Sequence, residues 1–220
     1  MRMPILRQFL PRALCAVMLL SVPLLSIRPD AATAAPMRPS FLHSREIRSD
    51  DTSRFVAWHA ALSRHVAESA ASQPRRYQEW LAFLERIADH DPRRQLIAVN
   101  RFVNAIRYES DRRNWGVQDH WASPAEFLGR AAGDCEDFVI AKYLSLHALG
   151  WPDDALRFVA VNDRKNGDDH AILVAFYDAK VLVLDSSFEN VMEADQVPHY
   201  RPIYSLNRSH WWLHRKAPRP

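Results

Sequence analysis

The chain has 220 residues, a formal net charge of +3 and only two cysteines. Residues 1–34 contain four arginines and one aspartate, which account for the whole positive excess, so the remaining 186 residues are close to neutral. A near-neutral chain without a lysine- or arginine-rich face does not suggest a nucleic-acid-binding protein. Its length is sufficient for one domain with a buried core.

The first 34 residues have the layout of a secretory signal peptide. Three arginines precede an apolar run over residues 13–27. The small residues Ala32 and Ala34 then provide a cleavage site. The run is short for a membrane span and is interrupted by Pro23. We therefore expect an exported protein whose leader is cleaved near Ala34, the alternative being an uncleaved membrane anchor. Residues 35–50 predict a linker, and residues 51–220 predict one domain.

Three segments repeat apolar residues every three or four positions, which is the spacing of amphipathic helices. The first contains Phe55, Trp58, Leu62 and Val66, the second Tyr77, Trp80, Leu81, Leu84 and Ile87, and the third, after Asp91-Pro92, contains Leu96, Val99, Phe102, Val103 and Ile106. The capping-box sequence Ser123-Pro124-Ala125-Glu126 predicts a short helix that ends near Gly133. A further helix is predicted from about Cys135 to Ala148, where Gly150 and Pro152 follow.

The pattern changes to strands after this last helix. Apolar and β-branched runs predict strands over residues 156–161, 170–177 and 180–185, and residues 202–206 and 211–212 suggest two more. Short connections favour antiparallel pairing. The order of helices first and sheet second predicts an α+β fold, with N-terminal helices packed on an antiparallel sheet.

Three residues at the ends of predicted elements form a candidate catalytic group. Cys135 opens a helix, His170 opens a strand, and Asp185 ends the next strand. A cysteine nucleophile needs a base, and the base needs a third group that fixes its tautomer. Adjacent antiparallel strands can hold a histidine and an aspartate side by side, while a helix N-terminus lowers the pKa of a thiol. Spacing alone leaves a buried structural cysteine or a zinc site open, although the sequence has no closely spaced pair of cysteines of the kind that binds zinc.

The motif Gly133-Asp134-Cys135-Glu136-Asp137-Phe138, together with Trp121-Ala122-Ser123-Pro124, His170-Ala171 and Leu184-Asp185, resembles the bacterial transglutaminase-like cysteine proteinase family. The resemblance extends over roughly residues 55–212. It implies a papain-like, transglutaminase-type fold and a catalytic triad of Cys135, His170 and Asp185.

The family also implies a cellular role. Its best-understood members are periplasmic, calcium-dependent proteases that cut a large surface adhesin near its N-terminus, at a di-alanine site, and so release cells from a biofilm. An inner-membrane receptor for cyclic diguanylate restrains them. Two alternatives remain open on the sequence: the same triad would serve acyl transfer to an amine, and the fold would also suit a non-catalytic binding module.

Calcium is the cofactor that the resemblance implies, with Asp134, Glu136 and Asp137 as ligands. At about 100° per residue of helix, these three acids share an arc opposite Cys135 and are able to converge on one ion. Carboxylate oxygens suit Ca²⁺, and a bound dication would offset acids that otherwise oppose thiolate formation. The alternative is that the acids only favour a helix N-terminus.

The reaction also needs hydrogen-bond donors for the oxyanion. The backbone N–H of Cys135 is one candidate. The second donor stays open among Trp115, Trp121 and Gln118.

Overall fold

The computed structural model describes residues 41–68 and 74–216. The predicted signal peptide, residues 1–34, and the first part of the predicted linker, residues 35–40, lie outside the described residues. Within the described ranges, no helix is long and apolar enough to cross a membrane.

The helices follow the predicted segments closely. They are α1 (Val56–Glu68), α2 (Arg75–Ile87), α3 (Pro92–Asn104), α4 (Asp111–Asn114), α5 (Pro124–Arg130) and α6 (Cys135–Ala148). The capping box of α5 is confirmed, because the Ser123 hydroxyl accepts from the Glu126 N–H and the Glu126 carboxylate accepts from the Ser123 N–H. The short helix α4 was not predicted.

The strands form one large sheet and one small pair. They are β1 (Arg45–Ser49), β2 (Arg107–Tyr108), β3 (Ala132–Gly133), β4 (Leu156–Asp163), β5 (Asp169–Tyr177), β6 (Lys180–Leu184), β7 (Met192–Glu193), β8 (Tyr200–Leu206) and β9 (Trp211–Arg215). The large sheet has the order β1-β9-β8-β4-β5-β6-β7 with antiparallel pairing throughout, and β2 pairs in parallel with β3. The predicted α+β class is confirmed.

Helix α6 lies at the centre of the molecule and is apolar on nearly every side. One face of the sheet, with Phe158 and Leu173, packs in the same core as α6 and helices α1, α2, α3 and α5. The opposite face, with Val159 and Ile172, forms a second core that includes Phe41. A helix that is buried on all sides needs an apolar residue at nearly every position, as α6 has. The N-terminal end of α6 lies against the sheet, where Cys135 contacts Ala171 of β5.

The sheet begins earlier in the chain than the predicted linker allowed. Residues 45–49 form the edge strand β1, which pairs with β9, and Phe41 is buried. The sequence of β1 is mostly charged and lacks the alternation that marks a strand. Glu46 holds it through an ion pair with Arg157 of β4 at 2.7 Å, a contact that only the folded chain creates.

Candidate active site

Cys135 is the first residue of α6, and its thiol faces the start of β5. The side chain is buried, and its Sγ donates to Glu136 Oε2 at 2.9 Å. The backbone N–H of Ala171, the residue after His170, also hydrogen-bonds the sulfur. The fold therefore brings the helix N-terminus and the predicted histidine strand together, as the sequence predicted.

His170 and Asp185 are joined by a direct hydrogen bond. His170 lies in β5 and Asp185 directly follows β6, and the two strands pair antiparallel. His170 Nε2 lies 2.9 Å from Asp185 Oδ1. Because Nε2 is engaged by the carboxylate, the neutral tautomer that carries its proton there leaves the Nδ1 lone pair free to accept a proton.

Asp185 is fully buried and is held by further donors. The Tyr200 hydroxyl donates to Oδ2 at 2.6 Å, and the Ser187 N–H donates to Oδ1 at 2.8 Å. Burial alone would raise the pKa of Asp185, but the hydrogen bond and charge of His170, with the bonds from Ser187 and Tyr200, lower it below its ordinary value. The lowered pKa favours the ionised carboxylate, which accepts the hydrogen bond from the imidazole. The sequence offered no signal for Tyr200, which comes from β8.

Lys142 of α6 places a buried amino group near the same carboxylate. The side chain is fully buried, and Nζ has no hydrogen-bond partner among the described residues. Burial lowers the pKa of Lys142 to about 7, while the charge of Asp185 acts in the opposite direction.

The surroundings of the Cys135 thiol disfavour its charged form, whereas those of Asp185 favour the charged form. Burial, followed by the charge and hydrogen bond of Glu136 and the charge of Asp134, raises the pKa of Cys135. The Ala171 N–H acts against this rise. The side chains around the sulfur therefore favour the protonated thiol, as expected from the three acids of the motif.

Three carboxylates converge beside this end of α6. Asp111, Asp134 and Asp137 each offer an oxygen, and these oxygens all lie within 4.8 Å of one another. Asp134 and Asp137 were predicted ligands, whereas Asp111, the first residue of α4, was not. Glu136 lies outside this group, and its predicted role as a ligand stays a prediction.

The helical arc predicted for the acids differs from the structure for a local reason. Asp134 is the N-cap of α6 and has an extended backbone, with φ −106° and ψ −167°, so the spacing of 100° per residue does not apply to it. Its side chain is therefore free to meet Asp137 from outside the helix, while Glu136 contacts the thiol.

The hydrogen bonds of these three carboxylates leave capacity for a cation. Asp137 accepts from the N–H groups of Ala122 and Asp134, at 2.6 Å and 3.3 Å. Asp111 accepts at Oδ2 from the His120 N–H, but its buried Oδ1 has no hydrogen-bond partner in the described chain. Clustered hard oxygens with a spare buried acceptor fit Ca²⁺, which takes six to eight oxygen ligands.

Burial and mutual repulsion raise the pKa values of two acids in this cluster. Burial and the charges of Glu136 and Asp137 raise the pKa of Asp134 to about 9. Burial, reinforced by the charge of Asp111, raises the pKa of Asp137 to about 8. A cation at this position would relieve both effects.

Gly133 allows the cluster to pack closely. A Cβ at this position would lie 2.5 Å from Asp137 Oδ2 and 2.6 Å from a Phe127 ring carbon. Any side chain there would displace the carboxylate or the ring, so the glycine of the motif has a steric role.

The predicted side-chain donors for the oxyanion are not directed at the thiol by any hydrogen bond. Trp121 Nε1 donates to Asp119 at 3.1 Å, and Trp115 Nε1 is buried without a partner in the described residues. Gln118 is exposed.

The chain is similar in sequence and in fold to known proteins. The family model described as bacterial transglutaminase-like cysteine proteinase matches residues 54–217. Calcium-bound LapG of Legionella pneumophila is 32% identical, with 70% of this chain and 86% of that chain covered and a TM-score of 0.59. The EGTA-treated form of LapG is 30% identical, with 73% and 84% covered and a TM-score of 0.60. A search of curated proteins found no significant match. The chain belongs to the bacterial transglutaminase-like cysteine proteinase family.

Proposed function

We propose that this protein is a calcium-dependent cysteine endopeptidase with Cys135 as nucleophile, His170 as general base and acid, and Asp185 as the residue that orients the imidazole. The observation that carries the proposal is the bond from His170 to a buried, ionised Asp185, directly beside the backbone that contacts the Cys135 sulfur.

The reaction follows from these positions. His170 Nδ1 takes the thiol proton, and the Cys135 sulfur attacks the carbonyl carbon of a peptide bond. The imidazolium then returns its proton to the leaving amine, which departs and leaves a thioester on Cys135. Water, deprotonated by His170, hydrolyses the thioester, and Asp185 stabilises the imidazolium throughout.

Calcium is proposed as the cofactor at the carboxylate cluster. Asp111, Asp134 and Asp137 would hold the ion, with Glu136 as the further predicted ligand. When bound, it would supply positive charge that offsets the acids next to the thiol. The existence of calcium-bound and EGTA-treated forms of the similar LapG supports this choice.

The proposed substrate is the N-terminal region of a large surface adhesin, cut at a di-alanine site in the periplasm to promote release from a biofilm. An inner-membrane receptor for cyclic diguanylate is the proposed regulator. Membership of the family supports these assignments, and the leader-like sequence over residues 1–34 supports export.

The test is cleavage of the N-terminal fragment of a large repeat adhesin from the same organism. We expect one cut, detected by mass spectrometry, that requires calcium, stops with EGTA and is lost in Cys135→Ala. Incorporation of a fluorescent amine in place of hydrolysis would instead indicate an acyltransferase. If an electrophilic peptide failed to label Cys135 in the presence of calcium, the protein would be a non-catalytic module.

A further inference from the structure

Tyr108 is fixed against the start of α6 by its backbone and by its ring. In the parallel pair of β2 and β3, Tyr108 lies opposite Gly133, two residues before Cys135. The N–H of the next residue, Glu109, donates to the Gly133 carbonyl at 2.8 Å. The Tyr108 ring stacks on Phe138 in the first turn of α6, with ring centroids 6.2 Å apart and planes 28° apart.

The phenol hydroxyl of Tyr108 reaches the reacting sulfur. After burial, the charge of Cys135 is the largest influence that raises the pKa of Tyr108, and a side-chain hydrogen bond to Cys135 acts in the same direction. With its pKa raised, the phenol keeps its proton at neutral pH and acts as a donor. The side chain is nevertheless 57% exposed, so it contacts the thiol and also faces solvent, from which a substrate arrives.

A donor in this position meets a need that the reaction creates. Attack by sulfur on a carbonyl places negative charge on the carbonyl oxygen, next to the sulfur, and that charge needs fixed donors. The N–H of Cys135, at the start of α6, is one of them. The indole of Trp121 is engaged by Asp119, and that of Trp115 is buried.

We propose that Tyr108 is a catalytic residue whose hydroxyl donates a hydrogen bond to the oxyanion formed on attack by Cys135. This role rests on the proposed function, since it needs Cys135 to attack a carbonyl. Two rigid attachments, the strand pair and the stack on Phe138, hold the hydroxyl in place before the charge develops. Such preorganisation is what makes an oxyanion donor effective.

Two small probes of Cys135 separate this role from an effect on the thiol itself. With p-nitrophenyl acetate, sulfur adds to the ester carbonyl, an oxyanion forms, and p-nitrophenolate then leaves an acetyl thioester. With iodoacetamide, sulfur displaces iodide directly, and no oxyanion forms. Both rates are measured on the whole protein with calcium, for the wild type, Tyr108→Phe and the control Tyr177→Phe, which removes a phenol hydroxyl from the far end of β5.

We expect Tyr108→Phe to lower the rate of acylation by p-nitrophenyl acetate about 100-fold, the cost of one oxyanion donor. The rate of alkylation by iodoacetamide should change less than about tenfold, because there only the hydrogen bond from the phenol to the sulfur is lost. Phenylalanine keeps the stack on Phe138, and the alkylation rate reports whether the site remains folded. Equal falls in both rates, or no fall in acylation, would overturn the role of Tyr108. If the wild type reacted with neither probe at Cys135, the proposed function itself would fail, and the role of Tyr108 with it.

Discussion

The carboxylates on the sheet side and on the helix side of the site respond to burial in opposite ways. Asp185, on the sheet side, has a pKa below its ordinary value, because the hydrogen bonds from His170, Ser187 and Tyr200 and the charge of His170 together outweigh burial. Asp134 and Asp137, on the helix side, have pKa values raised to about 9 and about 8, because burial adds to the charges of neighbouring acids.

The difference shows that neighbours, and not residue type or depth, decide the state of a buried acid. The sheet side is complete within the chain, since His170, Ser187 and Tyr200 supply hydrogen bonds to Asp185. The helix side gathers like charges around oxygens that suit a divalent cation. The first group is expected to be insensitive to calcium and the second to depend on it, and four experiments test this contrast.

Removal of the imidazole has the largest expected effect. His170→Ala takes away both the base and the partner of Asp185, so we expect kcat to fall by roughly 10⁴- to 10⁶-fold. The measurement is single-turnover acylation of Cys135. The exposed His90 provides the matched control, and His90→Ala should be unchanged. Activity of His170→Ala within tenfold of wild type would contradict the proposed triad.

Calcium binding is expected to stabilise the fold through the carboxylate cluster. At a calcium concentration about 100 times Kd, the free energy of unfolding should rise by about 2.7 kcal/mol, which corresponds to roughly 5–10 °C in Tm. Asp137→Asn keeps an oxygen for the Ala122 N–H but removes a charge, so the calcium-induced rise in Tm should shrink.

Thermal unfolding with calcium and with EGTA measures this change. The exposed Asp89 serves as a control, because Asp89→Asn removes the same charge away from the cluster. An equal calcium-induced rise in Asp137→Asn and wild type would mean that the ion binds elsewhere.

Loss of the Tyr200 hydroxyl has a smaller expected effect on the sheet side. Tyr200→Phe leaves Asp185 Oδ2 buried without its 2.6 Å donor. A hydrogen bond to a charged group contributes about 1.5–3 kcal/mol, so we expect kcat to fall at least tenfold with KM unchanged. Tyr177→Phe is the control. The fall in kcat should be the same at every calcium concentration above saturation. If added calcium restored the activity of Tyr200→Phe, the sheet side would not be independent of calcium.

The smallest expected effect is the pH dependence of stability in chelator. Asp134 and Asp137 bind protons more tightly in the folded protein, with pKa values of about 9 and about 8, than at the ordinary value of 3.8. The folded state therefore holds more protons between these values, and the free energy of unfolding falls as pH rises.

Urea unfolding in EGTA, between about pH 6.5 and pH 8, should show a loss of stability that is on the order of 1 kcal/mol greater in wild type than in Asp137→Asn. Buried His214, whose pKa is lowered from 6.5 to about 4, acts with the opposite sign only below this window. Lys142, whose pKa is lowered to about 7, acts with the opposite sign within the window, and comparison of the two proteins removes its contribution. A loss as large in Asp137→Asn as in wild type would contradict the assignment.

The sequence alone determined the features that depend on local patterns. Apolar spacing located α1, α2 and α3, and the capping box located α5. The motif around Cys135 placed the nucleophile at a helix N-terminus. Alternating strands with short connections predicted that His170 and Asp185 lie side by side, because adjacent antiparallel strands place their ends together.

Only the tertiary structure decided which distant side chains complete the site. Asp111 reaches the carboxylate cluster from α4, Tyr200 reaches Asp185 from β8, and Tyr108 reaches the thiol from β2. None of these residues has a local pattern that marks its role, since each contact depends on how separate elements pack. The placement of the acids also depended on the fold. Asp134 is the N-cap of α6 and does not follow the helical spacing from which the three acids were predicted to converge. Glu136 contacts the thiol instead of joining the carboxylate cluster.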